Sequence, residues 1–246
     1  MKTLVIIPSR LSASRLPGKP LLKINGLSII SHVYKKALEA DIGDVFVAAE
    51  DHEIAEDVRK NGGEAILTSK NHKTGTDRIY EALIKLGRED VELVMNLQGD
   101  EPLMNIEDIQ NLNIRMIENK RDLGTLAAKI NDTKIFENHN IVKVITKESL
   151  DESTFPQALN FVRKSDKEIS NHAYHHLGIY CYNVEILKKF VSFKQSQNEI
   201  KNRLEQLRAL DNNININVAL AKTSPIGVDT EEDFMAIKKI MEYKSQ

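Results

Sequence analysis

The sequence predicts an α/β protein built on a doubly wound, mostly parallel sheet. Three observations carry that expectation. In the first hundred residues, short apolar runs rich in β-branched residues alternate with stretches of helical spacing. The runs are continuously apolar, as in strands covered on both faces. The connections are short, which implies right-handed crossovers between parallel neighbours.

"TLVIIP" is the first strand. Within 27–40, Ile29, Ile30, Val33, Ala37 and Leu38 recur at helical spacing. "DVFVAAE" is the second strand. "DHEIAEDVRKNGG" is a helix with an acidic first turn, stopped at Gly62 or Gly63. "EAILTS" is the third strand. "TDRIYEALIKLG" is a helix with Thr76 as its cap and Gly87 after its end. "VELVMNLQGDEP" is a fourth strand, closed by Gly99 and Pro102.

The alternation then loosens. A helix is expected over about 106–119, and strands in "LGTLAAKI", "IVKVIT" and "HLGIYCYN". "NDTKIFENHN" and "RKSDKEISNHAYH" read as loops. Helices follow at about 184–191 and 197–211, then a strand "NVALAKT" and a last helix from about 230. There are no internal repeats and no low-complexity linker, so the expectation is one domain, 1–246. Its β-rich insertion at about 123–183 joins the main sheet and closes one side of a cleft.

Bulk composition excludes more than it assigns. The chain has 246 residues, 41% hydrophobic and 28% charged, with a net charge of -2, which suits a globular protein and argues against a general nucleic-acid or membrane-surface binder. One cysteine, Cys181, permits no intrachain disulfide. The apolar run at the N-terminus is too short for a signal peptide, and no stretch approaches the ~18 apolar residues of a membrane span. A cytoplasmic protein is expected.

In an open parallel sheet, ligands bind beyond the carboxyl ends of the strands. After "TLVIIP" the chain places Arg10, Arg15 and Lys19 on a loop stiffened by Pro17 and Pro20, with the Ser12 and Ser14 hydroxyls and Gly18 nearby. Guanidinium forks and an ammonium suit a triphosphate, although a solvated basic loop is the simpler reading. The loop is neither G-x-x-x-x-G-K-[ST] nor G-x-G-x-x-G, so neither common phosphate cradle applies. "NLQGDEP" ends a strand on Asp100, which could hold Mg²⁺ or merely cap a turn. Asp229, in "GVDTEEDF", could be a second metal ligand or part of an acidic helix start. "KTGTDR" could read a base edge or simply begin a helix. His175 and His176 lack a metal-ligand spacing and read as ordinary hydrogen-bonding residues. In "RLEQLRAL", Leu204, Leu207 and Leu210 are expected in the core, with Glu205, Gln206 and Arg208 on a solvated face.

The ordered set "IIPSRLSASRLPGKPL", "GTDR", "NLQGDEP", "HLGIY", "LEQLR" and "VDT" resembles the 3-deoxy-manno-octulosonate (Kdo) cytidylyltransferases, from residue 4 to about 234. The resemblance implies a Rossmann-like sheet of the nucleotide-diphospho-sugar transferase type. It implies the reaction of CTP with the 2-keto sugar acid to give CMP-Kdo and diphosphate, an activation step for lipopolysaccharide synthesis. It further implies that Arg10, Arg15 and Lys19 bind the CTP phosphates, that Thr76 lies near the cytosine, and that Asp100 and Asp229 hold Mg²⁺. Lys19, Asp100 and Asp229 are then the catalytic group. Arg78, Gln98, Arg163, His176, Tyr180, Glu205 and Gln206 would serve the acceptor, and the protein would be a homodimer built through the insertion. No strong side-chain base is evident, so loss of the hydroxyl proton falls to the metal. "KSDKEISNHAYH" and "ESTFPQALN" depart from the family pattern, which leaves open a modified acceptor such as 8-amino-Kdo or another 2-keto acid. A non-catalytic nucleotide-binding module and a dehydrogenase are the readings from other classes; the missing glycine fingerprint disfavours the second.

Overall fold

The computed structural model describes all residues except 13–14, 133–135, 137, 164–171, 226 and 244–246. Its centre is β1 (Thr3–Ser9), whose alternate side chains leave by opposite faces. Val5 and Ile7 join the core under one set of helices, and Leu4 and Ile6 join the core under the other. All four are fully buried, each contributing about 1.5–3 kcal/mol of apolar burial. That two-sided demand is why "TLVIIP" is continuously apolar.

β4 (Gly43–Ala49) and β6 (Leu93–Asn96) flank β1 in parallel, and β5 (Ala65–Leu67) extends the β4 side. Beyond β6 lies β10 (Ala173–Asn183), antiparallel to β6 and to β7 (Leu123–Ala128). β11 (Ile216–Leu220) runs parallel to β7. The order is β11-β7-β10-β6-β1-β4-β5. β8 (Lys143–Thr146) pairs with the start of β10 and with β9 (Ala158–Val162). The strands of the 123–183 stretch thus share one sheet with β1, joined to it through β10. A small hairpin, β2 (Lys23–Ile24) and β3 (Leu27–Ser28), precedes the first helix.

One face of the sheet is covered by α1 (Ile29–Glu39), α2 (His52–Lys60) and α4 (Ile106–Asn119), through Val33, Ile54 and Leu112 among others. The other is covered by α3 (Gly75–Leu86), α5 (Val184–Ser192) and the one-turn helix α7 (Leu207–Asp211), through Ile79, Phe190 and Leu207. The last helix, α8 (Glu231–Tyr243), buries Ile237 against Ile24, Ile29 and Val228 in a separate small cluster. That contact brings the segment before α8 to the end of β1.

Several expectations change. The helix expected over 197–211 is two pieces, α6 (Gln197–Asn202) and α7, because Arg203 adopts a left-handed conformation (φ +54) that ends α6. α3 is capped by Thr74, whose hydroxyl accepts from the Asp77 N–H, and not by Thr76. β9, unread in the sequence, is a short strand with Leu159 and Asn160 turned outward. The solvated face assigned to Glu205, Gln206 and Arg208 is overturned. Arg208 is 2% exposed and grips Glu199 with Nε at 2.8 Å and Nη2 at 2.5 Å, its guanidinium 4.7 Å over the Phe190 ring. Gln206 is buried as well. A paired charge can be interior where an unpaired one cannot. Of the two loop hydroxyls, Ser14 lies outside the described residues.

Candidate active site

The chain leaves β1 toward β4 on one side while β6 lies on the other, so a crevice opens beyond the carboxyl ends of β1 and β6. It encloses about 340 Å³ and is lined by Pro8, Ser9, Arg10, Ser12, Arg15, Lys19, Pro20, Thr74, Gly75, Arg78, Gln98, Gly99, Asp100 and Asp229. Two glycines shape it. Gly18 sits at φ +70, a conformation other residues adopt only with strain, and turns the basic loop into a short 3₁₀ turn at Lys19–Leu21. At Gly99, a Cβ would lie 3.0 Å from the Pro8 carbonyl oxygen and 3.1 Å from Ile30 Cδ1. A side chain there would crowd both, so glycine eases the close approach of the loop after β6 to β1.

Lys19 is pinned between left-handed Gly18 and buried Pro20. Its side chain is 12% exposed, and its ammonium lies 2.6 Å from Asp100 Oδ2 and 3.4 Å from Asp229 Oδ1. Arg15 Nη2 is 2.9 Å from the other oxygen of Asp229. Two acids far apart in the chain thus converge on one cation. The backbone enforces this: the Val228 N–H donates to the Asp100 carbonyl at 2.9 Å. The acidic helix start is resolved too. Asp233 accepts from the Asp229 and Thr230 N–H groups at 3.1 and 2.9 Å, which frees the Asp229 carboxylate for the cleft.

Two hard oxygen donors at this spacing, beside a cationic loop, fit Mg²⁺, which is commonly held by one or two carboxylates together with substrate phosphates. Among the described residues, no group of three or more His, Cys, Asp or Glu forms a ready-made metal cage. Oxygens from outside the protein would complete the shell. Two groups passed over in the sequence also stand here. Ser9 Oγ is buried without a hydrogen-bond partner at the end of β1. Glu101 Oε2 is likewise buried and unpartnered, and burial, reinforced by the charges of Asp100 and Asp229 against the opposing pull of Lys19, pushes this carboxyl up to about 8. Both sit inside motifs read for their neighbours, "IIPSR" and "GDEP".

The remaining site candidates divide. Gln98 lines the cleft, with its amide 3.4 Å from Asn96 Oδ1. Thr76 does not: it is 1% exposed, at the second position of α3, with its hydroxyl turned inward to Tyr182 (3.5 Å). Thr74 and Gly75 face the cleft in its place. Arg78 borders the cleft, but its guanidinium pairs with Glu50 and donates to Thr68 Oγ1 (2.7 Å) and the Ser69 carbonyl (3.2 Å). Arg163 lies apart from the cleft lining, donating to backbone carbonyls of Asn202 and Arg203. His176 and Tyr180 lie along β10, their rings 5.5 Å apart. His176 Nε2 is 3.1 Å from Thr125 Oγ1, and burial, with a smaller effect of His175, depresses its pKa to about 3. His175 Nδ1 meets Ser224 Oγ at 2.5 Å. Glu205 keeps one carboxyl oxygen buried and unpartnered, and burial raises its pKa against the opposing effect of the nearby Thr76 and Thr74 hydroxyls. Gln206 adjoins it. His176 and Tyr180 lie on β10, the strand next to β6, and Gln98 follows the end of β6.

Residues 4–216 match the family model described as "Cytidylyltransferase". The chain is 43% identical over 240 residues to a 3-deoxy-manno-octulosonate cytidylyltransferase of Afipia carboxidovorans, covering 97% of this chain and 96% of that protein. It is 42% identical to the protein of the same name from Thermodesulfovibrio yellowstonii, covering 98% of each. Among solved structures, a CMP:2-keto-3-deoxy-manno-octonic acid synthetase complexed with CTP superposes with a TM-score of 0.89, at 32% identity over 99% of this chain and 100% of that one. A UDP-glucose pyrophosphorylase complexed with UDP-glucose, 13% identical with a TM-score of 0.70 over the full length of both chains, shares the fold.

Proposed function

The chain belongs to the family of the 3-deoxy-manno-octulosonate cytidylyltransferases, and from that premise we propose how its cleft performs the reaction. The enzyme transfers a cytidylyl group from CTP to Kdo, giving CMP-Kdo and diphosphate. The relatives favour Kdo itself over an 8-amino form or another 2-keto acid. The observation that carries the assignment to this cleft is the convergence of Lys19, Arg15, Asp100 and Asp229 at the ends of β1 and β6.

The electrostatic problem is severe. An anionic sugar acid must approach a triphosphate, and two like charges ~4 Å apart repel by about 4 kcal/mol at an effective dielectric of ~20. Arg10, Arg15 and Lys19 line the wall where the phosphates would lie. Lys19 and Arg15 neutralise the two acids in the ligand-free protein. When the triphosphate enters, its oxygens compete for these cations and release the carboxylates. Asp100 and Asp229 would then hold Mg²⁺, which would supply positive charge beside the phosphates and so favour loss of the attacking hydroxyl's proton. The anomeric oxygen of the sugar forms a bond to the α-phosphorus, the bond from the α-phosphorus to the bridging oxygen breaks in line so that diphosphate leaves, and the hydroxyl proton passes to water. Lys19 stays beside the reacting phosphoryl group, where fixed positive charge favours the transition state over the ground state.

Thr74 and Gly75 at the start of α3 offer backbone groups to the base, taking the place expected for Thr76. Gln98 faces the acceptor, and Glu205, Gln206, His176 and Tyr180 form the wall behind it. Arg78 serves the site indirectly, through its pair with Glu50. We further propose a single domain whose 123–183 region closes the cleft and forms a homodimer contact, and a cytoplasmic location. No helix among the described residues is long and apolar enough to cross a membrane. Incubation with CTP, Mg²⁺ and Kdo, read by product mass, tests the assignment: CMP-Kdo is expected, and CTP binding without turnover would contradict it.

A further inference from the structure

Asp100 and Asp229 reach the cleft from two different loops, and one buried carboxylate outside the cleft joins those loops. Asp108 stands in the first turn of α4, the helix that follows the loop bearing Asp100. An acid in a first turn ordinarily faces solvent and favours the helix dipole. Its neighbour Glu107 is of that kind, exposed and paired with the Lys222 ammonium. Asp108 is instead 2% exposed. A carboxylate is costly to bury unless its oxygens are satisfied, and the partners of Asp108 come from another element. Oδ1 accepts from the Lys222 N–H at 2.7 Å. Oδ2 accepts from the Thr223 N–H at 3.3 Å and from the Thr223 hydroxyl at 3.2 Å.

These donors begin the stretch that leads to Asp229. β11 ends at Leu220, and the Ala221 N–H still bonds to the Ala127 carbonyl at 2.8 Å. The next two amides turn from the sheet to Asp108. Ser224 Oγ then meets His175 Nδ1 on β10 at 2.5 Å. The Val228 N–H closes on the Asp100 carbonyl at 2.9 Å, and the Asp229 carboxylate meets Lys19 beside Asp100. The 222–229 stretch is thus braced twice to the Asp100 side. Its exit is held by the Asp100 backbone, and its entry by the helix into which the Asp100 loop runs. Mg²⁺ tolerates little departure from octahedral geometry, so two acids that share it must be kept at a fixed spacing.

We propose that Asp108 is a positioning residue for the metal: it fixes where the 222–229 stretch leaves the sheet, and so the spacing at which Asp229 faces Asp100. It does not itself line the cleft. This rests on the reading of Asp100 and Asp229 as the metal ligands.

Titration of enzyme and CTP with Mn²⁺, followed by electron paramagnetic resonance, tests it. Asp108→Asn keeps the shape but turns an amide toward one of the backbone N–H groups. It raises the Mn²⁺ Kd about tenfold, as expected for loss of a group that orients a metal ligand. The Kd for metal-free CTP stays within about twofold of the parent, and kcat recovers at saturating Mg²⁺. Hydrogen exchange at residues 222–224 quickens. Glu107→Gln, which breaks the exposed pair to the same stretch, changes none of these.

A folded Asp108→Asn with a Mn²⁺ Kd within about twofold of the parent overturns the proposal. So does a Kd for metal-free CTP that rises in step, which would mark a general disturbance of the cleft. Should Asp108→Asn fail to fold, Thr223→Val, which removes the hydroxyl alone, decides: a rise of about threefold in the Mn²⁺ Kd supports the brace, and no change overturns it. Asp229→Asn separates the brace from its premise. Undiminished Mn²⁺ binding there removes the metal reading and the brace with it. Binding lost in Asp229→Asn but unchanged in Asp108→Asn removes the brace alone.

Discussion

Asp100→Asn is the sharpest perturbation of the proposed chemistry. The carboxylates of Asp100 and Asp229 reach one ammonium at 2.6 and 3.4 Å. Their nearest oxygens are therefore at most about 6 Å apart, a mutual repulsion of about 3 kcal/mol at an effective dielectric of ~20. That repulsion is useful only if a cation relieves it during the reaction. The amide keeps the shape and removes one charge, so the cation loses an attraction of comparable size. A loss of about 3–4 kcal/mol from the transition state lowers kcat by roughly 10²–10³-fold. Stability should barely move. The Asp100 side chain is 30% exposed, and a partly exposed ion pair contributes about 0–1 kcal/mol after screening. For a domain of this size that is a Tm shift of a few degrees at most. Diphosphate release at saturating CTP and Kdo gives kcat, and differential scanning calorimetry gives Tm. A kcat within threefold of the parent, or a collapse of the fold, would remove Asp100 from the proposed metal site.

The other expectations concern different parts of the molecule. Lys19→Ala should lower kcat strongly at saturating substrates; a change confined to KM would show that Lys19 binds ground state and transition state alike. Arg208→Met leaves Glu199 buried and unpaired and should cost about 3–5 kcal/mol in urea unfolding, much of it recovered in Arg208→Met/Glu199→Leu. His176 has a folded pKa near 3, below its unfolded value. The unfolded chain therefore binds the proton more readily, so stability is full above the unfolded pKa of about 6.5 and falls as pH drops toward 3, by up to about 1.4 kcal/mol per pH unit. Denaturation at pH 7 and pH 5 should show that loss in the parent and a smaller one in His176→Asn.

The parallel strands were legible because burial on both faces leaves a local signature, a continuous apolar run, in "TLVIIP" and "ELVMN" alike. Asp100 was legible as a candidate from its place after a strand, and Asp229 from its place before the last helix. Their convergence was not, because it depends on the Val228–Asp100 backbone contact and on α8 docking over Ile24 and Ile29. The cap of α3 was available in principle: Thr74 precedes Asp77 by three residues, the spacing of a reciprocal cap, whereas Thr76 has no such partner. The break at Arg203 was hidden, since a left-handed arginine carries no compositional mark. The Glu199–Arg208 pair spans nine residues across that break, so helical periodicity read Arg208 as solvated. β9 escaped notice because it is short and half exposed. Glu101 and Ser9 sat within motifs already read, but their burial without partners is a tertiary fact.

In the proposed mechanism the two acids share one divalent ion with the nucleotide beside Lys19. Its most direct test is titration of enzyme and CTP with Mn²⁺, followed by electron paramagnetic resonance. Tight binding is expected in the parent, lost in Asp100→Asn and equally in Asp229→Asn, and kept in Asp44→Asn, where the exchanged acid pairs with Arg88 at the opposite end of β4. Undiminished Mn²⁺ binding in either cleft variant would contradict it.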